Sequence, residues 1–203
     1  MTPIRKSADK TERRVIARAR RATLLPLRAD AAWRVARRGL RNIGPQCAAG
    51  AIIAGYFPQD EEFDVMPLLE RLRAGGHRVV LPVVVARRCP LVFRQWRQGE
   101  EPVPGAMGIP TPPATAPQLR PDIVLVPFLE ADEHGYRLGY GGGYYDRTLA
   151  ELRARGDVTA IGVGFADQIV AEVLHDRHDA RLDAILTEKG LIHMPQNIDG
   201  TAR

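Results

Sequence analysis

Residues 137–147 read R-L-G-Y-G-G-G-Y-Y-D-R, with four glycines within five consecutive positions. Residues 123–128 upstream read I-V-L-V-P-F and predict a buried strand, and residues 144–155 downstream have the apolar spacing of a helix. Glycine has no Cβ, so such a loop can approach an anion closely, and a helix N-terminus favours negative charge. The stretch therefore predicts a strand–loop–helix unit that binds phosphates.

The loop matches neither of the two common nucleotide-binding patterns. A P-loop requires a Lys-Ser or Lys-Thr pair after its last glycine, and the loop has none. Counted from Gly139, the dinucleotide pattern G-x-G-x-x-G puts Tyr144 where its third glycine belongs. A tight turn would explain the glycines alone, but the flanking Arg137 and Asp146 are residue types that bind a magnesium-bound polyphosphate.

Length and composition bound the class of protein. At 203 residues, with 45% hydrophobic and 26% charged residues, the chain fits one globular domain with a substantial core. No apolar run is long enough to span a bilayer and no signal-peptide core follows the first residues, so we expect a cytoplasmic protein with no membrane partner. Cys47 and Cys89 lack the spacing of zinc ligands, so we expect buried thiols and no disulfide.

The first 41 residues are strongly basic. They contain thirteen Lys or Arg against three acidic residues, a net charge of +10 that leaves −5 for the rest of the chain. Their apolar residues fit two helices separated by Pro26. The predicted buried faces are Val15, Ile16, Ala19 and Ala22 in the first helix, and Trp33, Val35, Ala36 and Leu40 in the second. Such a segment is typical of solvated helices, of an anion site or of a nucleic-acid contact.

Strand and helix patterns alternate along the remainder of the chain. Further strands are predicted over residues 48–56, 78–85, 91–96, 158–164 and 184–186, and a helix over residues 64–74. Residues 102–121, rich in proline and glycine, predict an ordered loop over a pocket. This alternation favours an α/β fold, a single three-layer domain with a mainly parallel central sheet flanked by helices and with ligands at the strand ends. We expect one domain over residues 1–203, with the basic helical residues 1–41 packed on it.

Five motifs carry a resemblance to a known family. Besides the glycine-rich run, they are K-T-E-R-R at residues 10–14, Y-F-P-Q-D-E-E-F-D at 56–64, G-I-P-T-P at 108–112 and H-D-A-R-L-D at 178–183. In this order the motifs resemble those of the 5-formyltetrahydrofolate cyclo-ligase family, also called 5,10-methenyltetrahydrofolate synthetases. The glycine-tyrosine run is highly specific, and the resemblance covers nearly the whole chain.

The resemblance implies a ligase reaction of one-carbon metabolism. In this reaction 5-formyltetrahydrofolate and ATP give 5,10-methenyltetrahydrofolate, ADP and phosphate, through phosphorylation of the formyl oxygen and ring closure by N10. Transfer of this kind depends on alignment and charge neutralisation more than on a protein nucleophile. The implied cofactors are ATP as co-substrate and Mg²⁺. The implied partner is the small-molecule folate, possibly polyglutamylated, bound by a monomer.

The resemblance also implies roles for individual residues. ATP would be bound by Lys10, Arg14, Arg137, Leu138, Gly139, Tyr140, Gly141, Gly142, Gly143, Tyr144 and Tyr145, and Mg²⁺ by Asp146 and Asp179. The folate would contact Phe57, Glu62, Met107, Tyr140, Gly141, Gly142, Gly143 and Tyr144. The catalytic groups would be Arg137, Tyr144 and Tyr145. Glu61 and Glu62 are adjacent acids, and Glu62 keeps the acidic-apolar-acidic spacing with Asp64.

Three alternatives remain open at the level of sequence. The basic segment could serve a nucleic-acid-binding protein on the same scaffold, although no aromatic-basic RNA-recognition motif accompanies it. The chain could instead be another α/β enzyme for phosphate ligands, which fold analogy alone does not exclude. His175 and His178 lie three residues apart among carboxylates and could bind zinc, but no third nitrogen or sulfur ligand is suitably spaced.

Overall fold

The computed structural model describes residues 3–43, 50–97 and 99–195 of the chain. The helices are α1 (Pro3–Ala22), α2 (Arg28–Asn42), α3 (Met66–Ala74) and α4 (Tyr144–Ala154). The strands are β1 (Ile52–Ala54), β2 (Arg78–Val83), β3 (Val92–Gln95), β4 (Val103–Pro104), β5 (Pro110–Thr111), β6 (Ile123–Pro127), β7 (Glu130–Ala131), β8 (Arg137–Leu138), β9 (Thr159–Val163), β10 (Ala184–Thr187) and β11 (Gly190–His193). Short 3₁₀ turns occur at Leu25–Leu27, Ala106–Gly108 and Ala166–Gln168.

A seven-stranded sheet forms the centre of the domain, in the order β11-β10-β9-β6-β1-β2-β3. The five inner strands run parallel, whereas β3 pairs antiparallel with β2 and β11 antiparallel with β10. Every residue of β6 is buried, as expected for a parallel strand that is covered on both faces. The predicted mainly parallel sheet is therefore confirmed, with one antiparallel strand at each edge.

The two faces of the sheet are covered by different helices. Ile123 and Leu125 of β6 belong to the core that contains residues of α2 and α3. Val124 and Val126 of the same strand pack in the opposite core, which contains Leu149 of α4. Because strand side chains alternate between faces, one strand contributes to both cores, and the domain has three layers.

The chain order creates a crevice between β1 and β6. From β1 the chain continues to β2 and β3 on one side, and from β6 it continues to β9 and β10 on the other. In open parallel sheets, ligands bind at the carboxyl ends of the strands where the order switches in this way. The topology therefore places a candidate site above the ends of β1 and β6.

The predicted buried faces of the basic segment are wrong in part. Val15 and Ile16 of α1 are 67% and 53% exposed, and Trp33 of α2 is 57% exposed. Ala17 and Arg21 of α1 are buried in their place. The physical reason is that the inner side of α1 faces a polar cavity rim, so arginine and lysine lie inside while its branched apolar residues face solvent.

A hairpin that the sequence did not predict separates the central sheet from the glycine-rich loop. β7 and β8 pair antiparallel between β6 and α4. Their turn is closed by Asp132, whose Oδ1 accepts hydrogen bonds from the backbone N–H groups of His134 and Tyr136, both at 3.0 Å. The loop thus follows the short strand β8 instead of following β6 directly. The predicted proline-rich loop over residues 102–121 contains the small β4–β5 pair as well.

Two further predictions concern the cysteines and membrane-spanning helices. Cys89 is a free, half-buried thiol, and Cys47 lies outside the described residues. Among the helices of the described ranges, none is both long and apolar enough to cross a membrane.

Candidate active site

A large cavity opens at the carboxyl ends of β1, β2 and β6. Its volume is about 1250 Å³, above the roughly 300–1,000 Å³ of typical small-molecule sites. Tyr56 and Phe57, which follow β1, line it together with Pro127 at the end of β6. The remaining walls come from α1, residues 59–62, the loop 139–143, the start of α4 and residues 176–179. The cavity is large enough for two ligands side by side.

The glycine-rich loop, residues 139–143, joins β8 to α4 along one wall. Gly141 and Gly143 have φ angles of 96° and 62°, a region that glycine adopts without steric cost. Gly143 is the N-cap residue of α4 and provides no side-chain cap. The first N–H groups of a helix have no intrahelical acceptor and carry the positive end of its dipole. This wall therefore offers backbone donors to an anion.

The basic side of helix α1 lies along the cavity wall. Lys10 Nζ bonds Asp176 and Asp179 at 3.0 Å and 2.7 Å, and Arg14 Nε donates to the carbonyl oxygen of Gly139 at 2.9 Å. Burial lowers the pKa of Lys10, but hydrogen bonds to the two aspartates outweigh it, and the net pKa is raised. Lys10 is therefore a permanent cation. The remaining N–H groups of Arg14 are donors for a ligand.

The two aspartates implied as metal ligands both line this cavity. Asp146 Oδ1 accepts hydrogen bonds from Arg137 Nη2 at 2.6 Å and from the Ala180 N–H at 3.1 Å. Asp179 Oδ2 accepts from Lys10 and from the Asp176 N–H, both at 2.7 Å. Within the described ranges, the second carboxylate oxygen of each aspartate has no hydrogen-bond partner.

This donor set fits Mg²⁺ bound together with a polyphosphate. The described residues contain no cluster of three or more metal-binding side chains, so a cage made of protein alone is absent there. Mg²⁺ commonly binds through one or two carboxylates, with phosphate oxygens and retained water as its other ligands. Asp146 and Asp179 supply two such carboxylates beside the loop.

A buried carboxylate also lines the cavity. Glu62 is 6% exposed, and its Oε2 accepts the backbone N–H of Gln59 at 2.9 Å. Burial raises its pKa, against the opposing effect of a hydrogen bond with Tyr140. Burial also raises the pKa of the Tyr140 and Tyr145 hydroxyls above the usual range, with the charge of Glu62 adding to both shifts. These hydroxyls remain protonated donors around a single acid.

An aromatic side chain forms another part of the cavity wall. Phe57 lines the cavity and packs edge-on against Trp96, with ring centroids 5.8 Å apart. Phe57 therefore presents an apolar wall to the cavity that Glu62 also lines, and a flat heterocycle with a polar edge requires both kinds of group.

The structure brings the sequence-predicted residues together in this one cavity. It is lined by Lys10, Arg14, Phe57, Glu62, Arg137, Leu138, Gly139, Tyr140, Gly141, Gly142, Gly143, Tyr144, Tyr145, Asp146 and Asp179. Met107 belongs to the turn Ala106–Gly108, and its side chain lies outside the described part of the structure. Ala106 and Ile109, which flank it closely, do line the cavity.

Several lining residues were not predicted. Tyr56, Arg18 and Asp176 also border the cavity, and Asp176 binds Lys10. Arg18 and the buried Arg21 follow Arg14 at four and seven residues along α1. A helical period applied to the basic residues, in place of the apolar ones, would have revealed this face.

The zinc interpretation is not supported. His175 stacks on Tyr136 with ring centroids 3.5 Å apart, and its Nδ1 lies 3.0 Å from the carbonyl oxygen of Val173. His178 Nε2 accepts a hydrogen bond from Arg177 at 3.1 Å. The two rings are thus engaged with different neighbours. Lys10 and Arg14 line the cavity and Arg21 is buried, so these three cations are turned away from a nucleic-acid surface, whereas Arg20, Arg34, Arg37 and Arg41 remain exposed.

Comparison with known proteins gives a consistent result. A family model described as the 5-formyltetrahydrofolate cyclo-ligase family matches residues 5–188. A relative named 5-formyltetrahydrofolate cyclo-ligase from Mycolicibacterium smegmatis is 34% identical over 152 residues, which cover 70% of this chain and 75% of the relative. One with the same name from Escherichia coli K12 is 31% identical over 148 residues, covering 70% and 81%.

Solved structures agree in fold. The NMR structure of Aquifex aeolicus 5,10-methenyltetrahydrofolate synthetase superposes with a TM-score of 0.75 at 25% identity, covering 96% of this chain and 95% of that one. A 5,10-methenyltetrahydrofolate synthetase from Mycoplasma pneumoniae gives a TM-score of 0.69 at 24% identity, covering 89% and 99%.

Proposed function

Since this chain belongs to the 5-formyltetrahydrofolate cyclo-ligase family, we propose that it uses ATP and Mg²⁺ to convert 5-formyltetrahydrofolate to 5,10-methenyltetrahydrofolate, ADP and phosphate. Cyclo-ligase activity itself follows from the family and its named relatives, which leaves no support for an unrelated phosphate-ligand enzyme. The nucleotide, the metal and the residue roles are the proposal. One observation carries it: a single cavity combines the loop donors, the cations of α1, two aspartates and the buried Glu62.

The nucleotide half of the cavity lies along the loop and α1. The loop amides and the start of α4 would bind the phosphates, with Lys10 as a point charge and Arg14 as a fork. Asp146 and Asp179 would hold Mg²⁺, which supplies charge neutralisation at the phosphates when bound. Arg137 is 8% exposed and bonded to Asp146, so it would fix that carboxylate and add positive charge beside the transferred group.

The folate half lies on the side of Phe57 and Glu62. Glu62 would accept hydrogen bonds from the N–H groups on the polar edge of the pterin, and Phe57 would pack against its ring. Tyr144 and Tyr145, at the start of α4, line the cavity and would border the junction between the halves. This arrangement would place the formyl oxygen near the terminal phosphate of ATP.

The chemistry then needs positioning more than a protein nucleophile. The formyl oxygen attacks the γ-phosphorus, the bond from that phosphorus to the β–γ bridging oxygen breaks, and ADP leaves. N5 donates its lone pair to the formyl carbon, which becomes electrophilic. N10 attacks this carbon and loses its proton to solvent, the carbon–oxygen bond breaks, and phosphate departs with that oxygen. The Tyr145 hydroxyl remains protonated and can donate a hydrogen bond at this junction.

Absorbance of the methenyl product provides the direct test. Purified protein, 5-formyltetrahydrofolate, ATP and Mg²⁺ should produce the product absorbance, and omission of ATP or of Mg²⁺ should abolish it. Turnover without ATP would refute nucleotide dependence, and turnover in the presence of a chelator would refute the metal. Absence of product in the complete mixture would refute the proposed reaction.

A further inference from the structure

A buried arginine on α1 contacts Tyr140 of the glycine-rich loop. Arg21 is 2% exposed, and its Nη1 donates to the Tyr140 hydroxyl. Its guanidinium carbon lies 5.4 Å from the centroid of the Tyr140 ring, and Nη2 lies 3.6 Å from Glu61 Oε2. Within the described ranges its buried Nε has no hydrogen-bond partner. Such incomplete satisfaction costs stability, so packing alone does not account for a charge at this position.

The direction of the hydrogen bonds follows from the groups themselves. A guanidinium can only donate, so the Tyr140 oxygen must be the acceptor. The single phenolic proton is then available to Glu62, the carboxylate whose pKa this hydroxyl lowers and whose charge raises the pKa of Tyr140. The donors therefore run from Arg21 to Tyr140 to Glu62, and a charged carboxylate at the end of this chain has only acceptor atoms.

We propose that Arg21 is a positioning residue for folate recognition, which acts through Tyr140 to hold the carboxylate of Glu62 ready for the donor edge of the pterin. This inference rests on the proposed function, because it assumes that Glu62 meets the pterin. Glu62 already accepts from Gln59, so Tyr140 fixes the carboxylate from a second direction. A fixed, charged acid can accept from the two adjacent N–H groups of a pterin edge, whereas a neutral acid loses one acceptor.

Glu62 needs this support because its carboxylate is buried. Glu62 is nearly excluded from water, and exclusion favours its neutral form. The hydrogen bond from Tyr140, that from Gln59 and the charge of Arg21 oppose this effect, while Asp60 adds to it. Tyr56 and Tyr145 face the same carboxylate as neutral hydroxyls. Arg21 is therefore the cation that helps to keep the recognition group charged.

The test compares Arg21→Met, Arg21→Lys, Tyr140→Phe and the Met/Phe double variant, with Arg20→Met as a matched control. Arg20 is the neighbouring arginine and is exposed. We expect Arg21→Met to raise KM for 5-formyltetrahydrofolate about tenfold, since hydrogen bonds to charged groups have effects of this order. KM for ATP should change less than about twofold. Arg21→Lys should restore part of the loss, and Arg20→Met should behave as the parent.

The double variant distinguishes positioning from general damage. If Arg21 acts through Tyr140, Tyr140→Phe should raise the folate KM similarly and the double variant should be no worse than either single one. Additive effects, an equal rise in the ATP KM, or a lower melting temperature with unchanged folate KM would overturn the inference. Should Arg21→Met fail to fold, Tyr140→Phe and Arg21→Lys still decide between these outcomes. Lack of turnover in the unmodified chain would refute the proposed function itself, and the inference with it.

Discussion

Replacing Gly141 by alanine isolates the contribution of the loop geometry. Gly141 has φ of 96°, and a Cβ built there would lie 3.3 Å from Cζ and 3.5 Å from Nε of Arg14. A left-handed backbone costs a residue with a side chain roughly 1–2 kcal/mol. The new methyl group must also displace the Arg14 guanidinium, which is bonded to Gly139. Gly141→Ala should therefore disturb both the loop and its arginine.

The cost should appear in one of two measurements. If the loop keeps its shape, 1–2 kcal/mol lowers the melting temperature by about 2–8 °C for a chain of this size. If the exposed loop relaxes in the free protein, ATP must restore its shape, and KM for ATP rises about fivefold to thirtyfold. Initial rates at varied ATP and thermal unfolding of the same sample measure both. The folate KM should change less than the ATP KM.

Gly139→Ala is the matched control. Gly139 has no left-handed φ, and its added Cβ would meet no atom within 4 Å. It should therefore keep the melting temperature and alter the ATP KM much less. A Gly141→Ala protein with parental melting temperature and parental ATP KM would refute the reasoning, as would equal effects of the two substitutions.

Four further substitutions, at three residues, test the remaining parts of the site. Lys10→Ala should raise the ATP KM about tenfold through loss of a phosphate cation, and an unchanged value in initial-rate assays would remove α1 from the nucleotide site. Asp146→Ala should abolish turnover and also lower the melting temperature by several degrees, because the buried Arg137 loses its carboxylate partner. Asp146→Asn should keep more of the stability but should not restore turnover. Parental turnover in either variant would show that Asp146 is not a metal ligand. Since burial raises the pKa of Glu62, folate affinity should fall as the pH drops through that raised value. Glu62→Gln should bind folate weakly at every pH and lack this dependence. Because the pKa of Glu62 is raised in the folded state, its ionisation lowers the free energy of unfolding as the pH rises above 4.5. Calorimetry at neutral pH should therefore find Glu62→Gln at least as stable as the parent. A large loss of stability in this variant would mean that the carboxylate supports the fold.

Much of the sheet could be predicted from sequence because its strands are buried on both faces. The I-V-L-V-P-F pattern at residues 123–128 leaves little choice but a central strand, and it became β6. Gly143 and the apolar spacing after it likewise located the start of α4. The specific motifs then allowed the cavity residues to be named before their positions were known.

The parts that could not be predicted depend on tertiary contacts. Val15 and Ile16 favoured a buried face for α1 that the structure turns to solvent, because the cavity rim that this helix covers is polar apart from the small cluster around Ala17. Arg21 is an unusual buried residue, and its contacts with Tyr140 and Glu61 explain its position. The β7–β8 hairpin consists of two-residue strands, too short for a period of two to be recognised.

The way in which α1 is attached should keep this helix in place over a wide range of ionic strength. Its contacts with the body include the pairs of Lys10 with Asp176 and Asp179 and that of Arg13 with Glu130, beside the buried Ala17 in a small apolar cluster. Mobile ions screen exposed charges beyond about 8 Å at physiological concentration and beyond about 3 Å at 1 M. The three pairs are 2.6–3.0 Å long, and each has a partner whose side chain is 13% exposed or less, so salt should weaken them little. Nucleotide affinities measured in different buffers should then differ mainly through screening of the exposed charges.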